Sequence, residues 1–239
     1  MRTFFLPPER WAEPYLLDGQ EARHLVKVVR VRAGDTVRLL NGRGREGEFR
    51  VTATEKALVR LAPVSITEHP APASQAVLAI GWGKEVRRGW LMEKAVELEA
   101  GGIWLWQAER SQSRVPEETR ESWHAQMEAG AKQSRNPWLP ELRTLPGGVA
   151  ELAEASRDFA KRFILWEGDT GGVLLGAGDL GQPGRTLFVV GPEGGFSDRE
   201  VSALLDSGMQ AVSLGNRVLR WETAAMLCLG LHWWGRQGK

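Results

Sequence analysis

The rhythm of apolar and polar positions changes near residue 70. Before it, Thr36–Leu40, Glu48–Thr54 and Leu58–Val64 alternate or run apolar over strand length, and predict three strands. Asn41-Gly42 between the first two is a hairpin signal, because both residues tolerate positive φ. Ala22–Val31 predicts a short helix that carries His24 and Arg30, with His24 read as a hydrogen-bonded interior histidine. Short strands joined by turns predict a small β-barrel over residues 1–69. The segment Glu68–Ser74 has two prolines, small residues and no apolar period, and predicts a linker.

From residue 74 onward, apolar runs alternate with helical patterns. Ala76–Trp82, Ile103–Gln107, Phe163–Trp166, Leu187–Val190 and Ala211–Leu214 predict strands. Trp90–Glu99, Glu117–Ser134, Ser197–Leu205 and Trp221–Trp233 predict helices. Ser197-x-x-Glu200 is a capping box, in which each side chain satisfies the other residue's backbone N–H. Strand–helix alternation at this spacing defines an α/β domain over 74–239 with a mostly parallel sheet. Such sheets bind ligands beyond the carboxyl ends of their strands, so the loops after Val190 and Leu214 are the first places to look.

Composition narrows the function classes. The 239 residues are 42% hydrophobic and 26% charged, with a net charge of +1, an ordinary globular balance. No apolar stretch reaches membrane-spanning length, and MRTFFLPPERW lacks the features of a signal peptide, so a cytoplasmic location is expected. A lone cysteine, Cys228, excludes a disulfide framework, and four widely spaced histidines give no metal-ligand pattern. Residues 1–70 are mildly basic, with 12 Lys and Arg against 9 Asp and Glu. Two G-x-G-x-x-G matches, at 42–47 and 176–181, lack the strand-before, helix-after context of a dinucleotide site. The first reads as an arginine-bearing hairpin tip, where Arg43 and Arg45 could reach phosphates.

Two glycine-rich turns carry the chemistry. Gly191-Pro192-Glu193-Gly194-Gly195-Phe196-Ser197 follows a strand and opens a capped helix; it holds an acid and no lysine, which disfavours a triphosphate and suits a neutral or cationic ligand. Leu214-Gly215-Asn216-Arg217-Val218-Leu219-Arg220-Trp221-Glu222-Thr223 repeats the strand–turn–helix plan, and Glu222 complements the macrodipole of the final helix. A third segment, Gln133-Ser134-Arg135, ends a helix before a proline-bounded loop.

In these residues the sequence resembles the ribosomal RNA small-subunit methyltransferase E family of the SPOUT class. The Lys84…Arg87…Trp90…Lys94 pattern, Glu109-Arg110-Ser111 and Gln133-Ser134 with Pro140-Glu141 resemble it as well, while Glu99 and Arg135 stand where glycine is common. The resemblance implies a trefoil-knotted domain behind a PUA-like β-barrel that binds RNA, with the knot in residues 186–225. It also implies a homodimer, S-adenosylmethionine as cofactor, and methylation of N3 of a uridine in small-subunit (16S) ribosomal RNA, free or in a 30S particle. Trp166, Glu167, Gly191, Pro192, Glu193, Gly194, Leu214, Gly215, Arg217, Leu219 and Thr223 are then the candidate cofactor contacts. Arg220 is the candidate stabiliser of a uracil anion, with Glu222 either orienting it or accepting the proton. Arg30, Arg43, Arg45, Arg110, Gln133 and Arg135 are the candidate RNA contacts. Competing readings are a related enzyme acting on a ribose 2′-hydroxyl and a non-catalytic RNA-binding assembly factor.

Overall fold

The computed structural model describes residues 1–83, 87–166, 168, 173–176, 178 and 180–237. The chain divides into two compact units, one of Met1–Ala71 with Glu128–Leu139, the other of Pro72–Met127 with Pro140–Lys239.

The first unit is a half-barrel sheet of β1 (Thr3–Phe5), β2 (Tyr15–Asp18), β3 (Thr36–Leu40), β4 (Arg45–Glu55) and β5 (Leu58–Glu68), in the order β1-β3-β4-β5-β2. Only β1 and β3 are parallel. Alternation along β4 turns Gly47, Phe49 and Val51 inward. Trp11 and Tyr15 meet the Phe49 ring edge-on at 5.7 and 4.9 Å, and Phe4, Leu17, Leu25 and Leu39 complete this core. The strands β1 and β2 were not foreseen, being only three and four residues long.

Three expectations in this unit need correction. Residues 22–31 do not form one helix: α1 (Gly19–Arg23) gives way to a wider π-type turn, His24–Val29, closed by Arg30 at φ 58°. His24 is exposed, its ring edge-on to Phe4 at 5.9 Å, and is not an interior histidine. The hairpin tip at Asn41–Gly44 is also largely buried. Asn41 is 6% exposed and its Oδ1 accepts from the backbone N–H of Arg43 and Arg45. Gly42 and Gly44, both at positive φ, lie against Leu139 and Trp138, and Gly44 N–H donates to Pro137 O at 2.9 Å.

The second unit holds a seven-stranded, wholly parallel sheet in the order β10-β12-β9-β11-β6-β7-β8. Its strands are β6 (Ser74–Gly81), β7 (Gly102–Trp106), β8 (Glu141–Leu145), β9 (Lys161–Leu165), β10 (Val173–Leu174), β11 (Gly184–Val190) and β12 (Gln210–Ser213). Helices α2 (Arg88–Glu97), α4 (Gly148–Ala155), α5 (Asp198–Asp206) and α6 (Trp221–Arg236) belong to this unit; α3 (Glu121–Ser134) begins in it and ends in the first. Strands covered on both faces read as unbroken apolar runs, and β7 and the last five residues of β11 are buried throughout. Val77, Trp104, Trp106, Ile164, Leu187 and Val189 form the centre of the core. The strand β8, the helix α4 and the two-residue β10 had no clear sequence signal; α3 starts at Glu121 rather than Glu117.

Candidate functional site

Parallel registry aligns four strand ends. Ile80 of β6 pairs with Val190 of β11, Ile164 of β9 with Val189, and Leu165 with Val212 of β12. The backbone leaving each strand therefore emerges at one edge of the sheet, as expected for a ligand site of an open α/β fold. A cavity of about 830 Å³ lies there. Leu165, Val190, Phe196, Val212 and Leu214 give it apolar walls, and the turns after β11 and β12 border it.

The first turn is held from several sides. Gly195, at φ 71°, donates its N–H to Pro192 O at 2.8 Å. Phe196 stacks on buried Trp106 at 5.9 Å, and Trp106 Nε1 donates to Val190 O. The capping box forms as expected: Ser197 N–H donates to Glu200 Oε2 and Glu200 N–H to Ser197 Oγ. Glu200 is only 1% exposed, and its other oxygen accepts from Glu109 N–H at 2.7 Å. One carboxylate thus ties the turn after β7 to the turn after β11. Arg110 adds to this by donating to Gly194 O at 3.1 Å.

Two glycines without a prior signal let the turn approach β6. A Cβ on Gly81 would lie 2.5 Å from both Pro192 N and Cδ, and one on Gly83 would strike the Glu193 carboxylate. The second turn is shaped by Gly215 at φ 126°, where a Cβ would meet nothing within 4 Å, and by Ser213 Oγ, which bonds both the N–H and the carbonyl of Gly215.

Of the residues anticipated from sequence, Trp166, Gly191, Pro192, Glu193, Leu214, Leu219, Arg220 and Glu222 line the cavity. Gly194, Gly215, Arg217 and Thr223 lie in or beside the two turns without lining it. Glu167 lies outside the described residues. Arg220 is the N-cap residue of α6, exposed, and has no side-chain partner among the described residues. Glu222, in the first turn of α6, does not pair with it. Its carboxylate accepts from Arg87 Nη1 at 2.9 Å, and Arg87 is a cavity residue carried by the start of α2.

The anticipated RNA contacts fall elsewhere. Arg30, Arg43, Gln133 and Arg135 are exposed on the first unit, while Arg45 is half-buried and ion-paired with Glu68. Arg110, in the second unit, braces the Gly194 turn.

The class of the protein follows from comparison with known families. Residues 69–233 match the RNA methyltransferase domain model, and residues 17–62 match the RNA methyltransferase PUA domain. The chain belongs to the ribosomal RNA small subunit methyltransferase E family. It is 31% identical to that enzyme of Mycobacterium bovis, over 90% of this chain and 84% of the relative, and 26% identical to that of Bacillus subtilis, over 91% and 89%. The crystal structure of a ribosomal RNA small subunit methyltransferase E from Neisseria gonorrhoeae, bound to S-adenosylmethionine, matches with a TM-score of 0.75 and 26% identity over 96% of both chains.

Proposed function

We propose that this chain transfers a methyl group from S-adenosylmethionine to N3 of a uridine in small-subunit (16S) ribosomal RNA. The observation that carries the reading is the cavity bounded by the Gly191–Gly195 and Leu214–Leu219 turns in a chain of this family. The residues suit that cofactor. Apolar walls at Leu165, Val190 and Leu214 accept a flat adenine, and glycine-rich turns offer backbone groups to its edge. The Gly191–Gly195 turn carries Glu193 and no cationic side chain, which suits a cationic sulfonium on that side of the cavity. Trp166 and the two turns would hold the cofactor, which supplies an electrophilic methyl group and leaves as a neutral thioether.

Uracil N3 carries a proton and becomes a strong nucleophile only as that proton passes to solvent water. The Arg220 guanidinium, at the cavity and without a side-chain partner among the described residues, stabilises the charge that builds on a uracil carbonyl oxygen as the proton leaves. The rest is positioning, which the rigid turns supply. The target base must be unstacked or already exposed to enter. Exposed Arg30 and Arg43 on the PUA unit contact RNA phosphates, which makes binding salt-sensitive.

In this reading residues 186–225 form a trefoil knot. The enzyme works as a homodimer in the cytoplasm, on RNA assembled or assembling into the 30S particle. Labelled methyl donor, incubated with unmodified 16S RNA or 30S particles, should place the label on a base. Label in ribose would indicate a 2′-hydroxyl enzyme, and failure to bind S-adenosylhomocysteine would indicate a non-catalytic RNA-binding protein.

A further inference from the structure

Arg220 and Glu222 stand two residues apart at the start of α6, and both line the cavity. Their charges are opposite, and the long Arg220 side chain leaves the N-cap position just before the turn that carries Glu222. Here Glu222 is instead held by Arg87, 135 positions away in sequence. The Glu222 side chain is 7% exposed and that of Arg87 is 54% exposed. A carboxylate so far from water needs a counter-charge, and the half-exposed Arg87 guanidinium supplies it. The first turn of α6 contributes a favourable dipole, but only a fraction of a charge.

We propose that Arg87 is a positioning residue, which neutralises Glu222 and thereby keeps the Arg220 guanidinium free to face the methyl acceptor. The proposal rests on the function proposed above and decides between two roles for Glu222. Glu222 is an anchored counter-ion and not the proton acceptor. Its carboxylate braces the start of α6 through Arg87, so α2 and α6 share the wall of the cavity. Without Arg87, the cation two positions away on the same helix start becomes the available partner. Arg220 then turns toward Glu222 and leaves the acceptor unopposed. The consequence is unusual: damage at position 87 should be repaired by removing the charge at position 222.

The test compares wild type, Arg87→Ala, Arg87→Lys, Glu222→Gln and the double variant Arg87→Ala/Glu222→Gln. Methyl transfer to 16S RNA gives kcat and KM, calorimetry gives S-adenosylhomocysteine affinity, and thermal melting reports folding. Arg87→Ala should lower kcat at least tenfold while changing S-adenosylhomocysteine affinity less than threefold. Arg87→Lys, which keeps the charge, should recover most of the rate. Glu222→Gln should retain more transfer than Arg87→Ala, and the double variant should match Glu222→Gln. The melting temperature should follow the same order, low for Arg87→Ala and raised again in the double variant. Wild-type kcat in Arg87→Ala would overturn the proposal. So would a double variant no better than Arg87→Ala, or loss of transfer in Glu222→Gln together with the basic limb of the pH–rate profile, which would make Glu222 the proton acceptor. If the wild type transferred no methyl group at all, the proposed function would fall and this proposal with it; an active wild type beside an unaffected Arg87→Ala overturns this proposal alone.

Discussion

Substitution of Gly81 by alanine is the sharpest probe of how the cofactor turn is seated. The added Cβ would stand 2.5 Å from Pro192 N and Cδ and 3.0 Å from Gly191 C. None of these atoms is the loose end of a side chain; all belong to backbone or to a proline ring fused to it. The collision is relieved only by shifting the Pro192 turn away from β6. Forcing a methyl group into such a contact costs about 1–3 kcal/mol. If the turn takes up the displacement, that energy appears as weaker cofactor binding, roughly 5- to 150-fold. At Gly83 an added Cβ would meet only the end of the flexible Glu193 side chain, so Gly83→Ala tests displacement of that carboxylate without displacement of the turn backbone. Titration calorimetry with S-adenosylhomocysteine on both variants, with melting curves to confirm folding, reads the effect. Gly81→Ala should lose at least fivefold in affinity, and more than Gly83→Ala. Wild-type affinity in a folded Gly81→Ala would refute the claim that close approach of β6 and the turn shapes the site.

Other consequences can be measured as directly. Arg220→Ala should lower kcat roughly 100- to 1,000-fold, the usual effect of losing a donor to developing negative charge, with far less change in S-adenosylhomocysteine affinity; equal losses in both would refute its role. Arg135 sits exposed at φ 60°, so Arg135→Gly should stabilise the protein by about 0.5–1 kcal/mol and raise its melting temperature. His232 is buried against Ser74, with its pKa lowered to about 4 by burial and by neighbouring Arg236. Its neutral form is the one the fold accepts. Stability linked to it is therefore full above pH 6.5 and falls as pH drops toward 4, by up to about 3 kcal/mol. The loss of melting temperature between pH 7 and 4.5 should be smaller in His232→Gln than in wild type.

The two turns were legible in the sequence because their signals are local. A strand, three glycines in five residues and a capping box occupy one short stretch, and backbone constraints of that kind do not depend on distant partners. The positive φ of Glu99 and Arg135 was not foreseen. They stand where the family favours glycine, and the structure holds both at positive φ, 54° and 60°. What else escaped was set by contacts across the fold. No spacing rule joins Arg87 to Glu222, or announces that Gly81 exists to admit Pro192. An arginine-bearing hairpin tip suits solvent by its composition, yet Trp138 and Leu139, nearly a hundred residues away, cover the glycines of the 41–44 tip. His24 was misjudged because apolar neighbours suggest burial, whereas the wider turn His24–Val29 leaves its ring at the surface.

The central claim is tested most directly by digesting 16S RNA to nucleosides after reaction with isotopically labelled S-adenosylmethionine and identifying the product by mass spectrometry. The account predicts one labelled 3-methyluridine per RNA, absent when Arg220 is alanine. Label recovered only in ribose or in another base, or no label despite cofactor bound in the cavity, would contradict it.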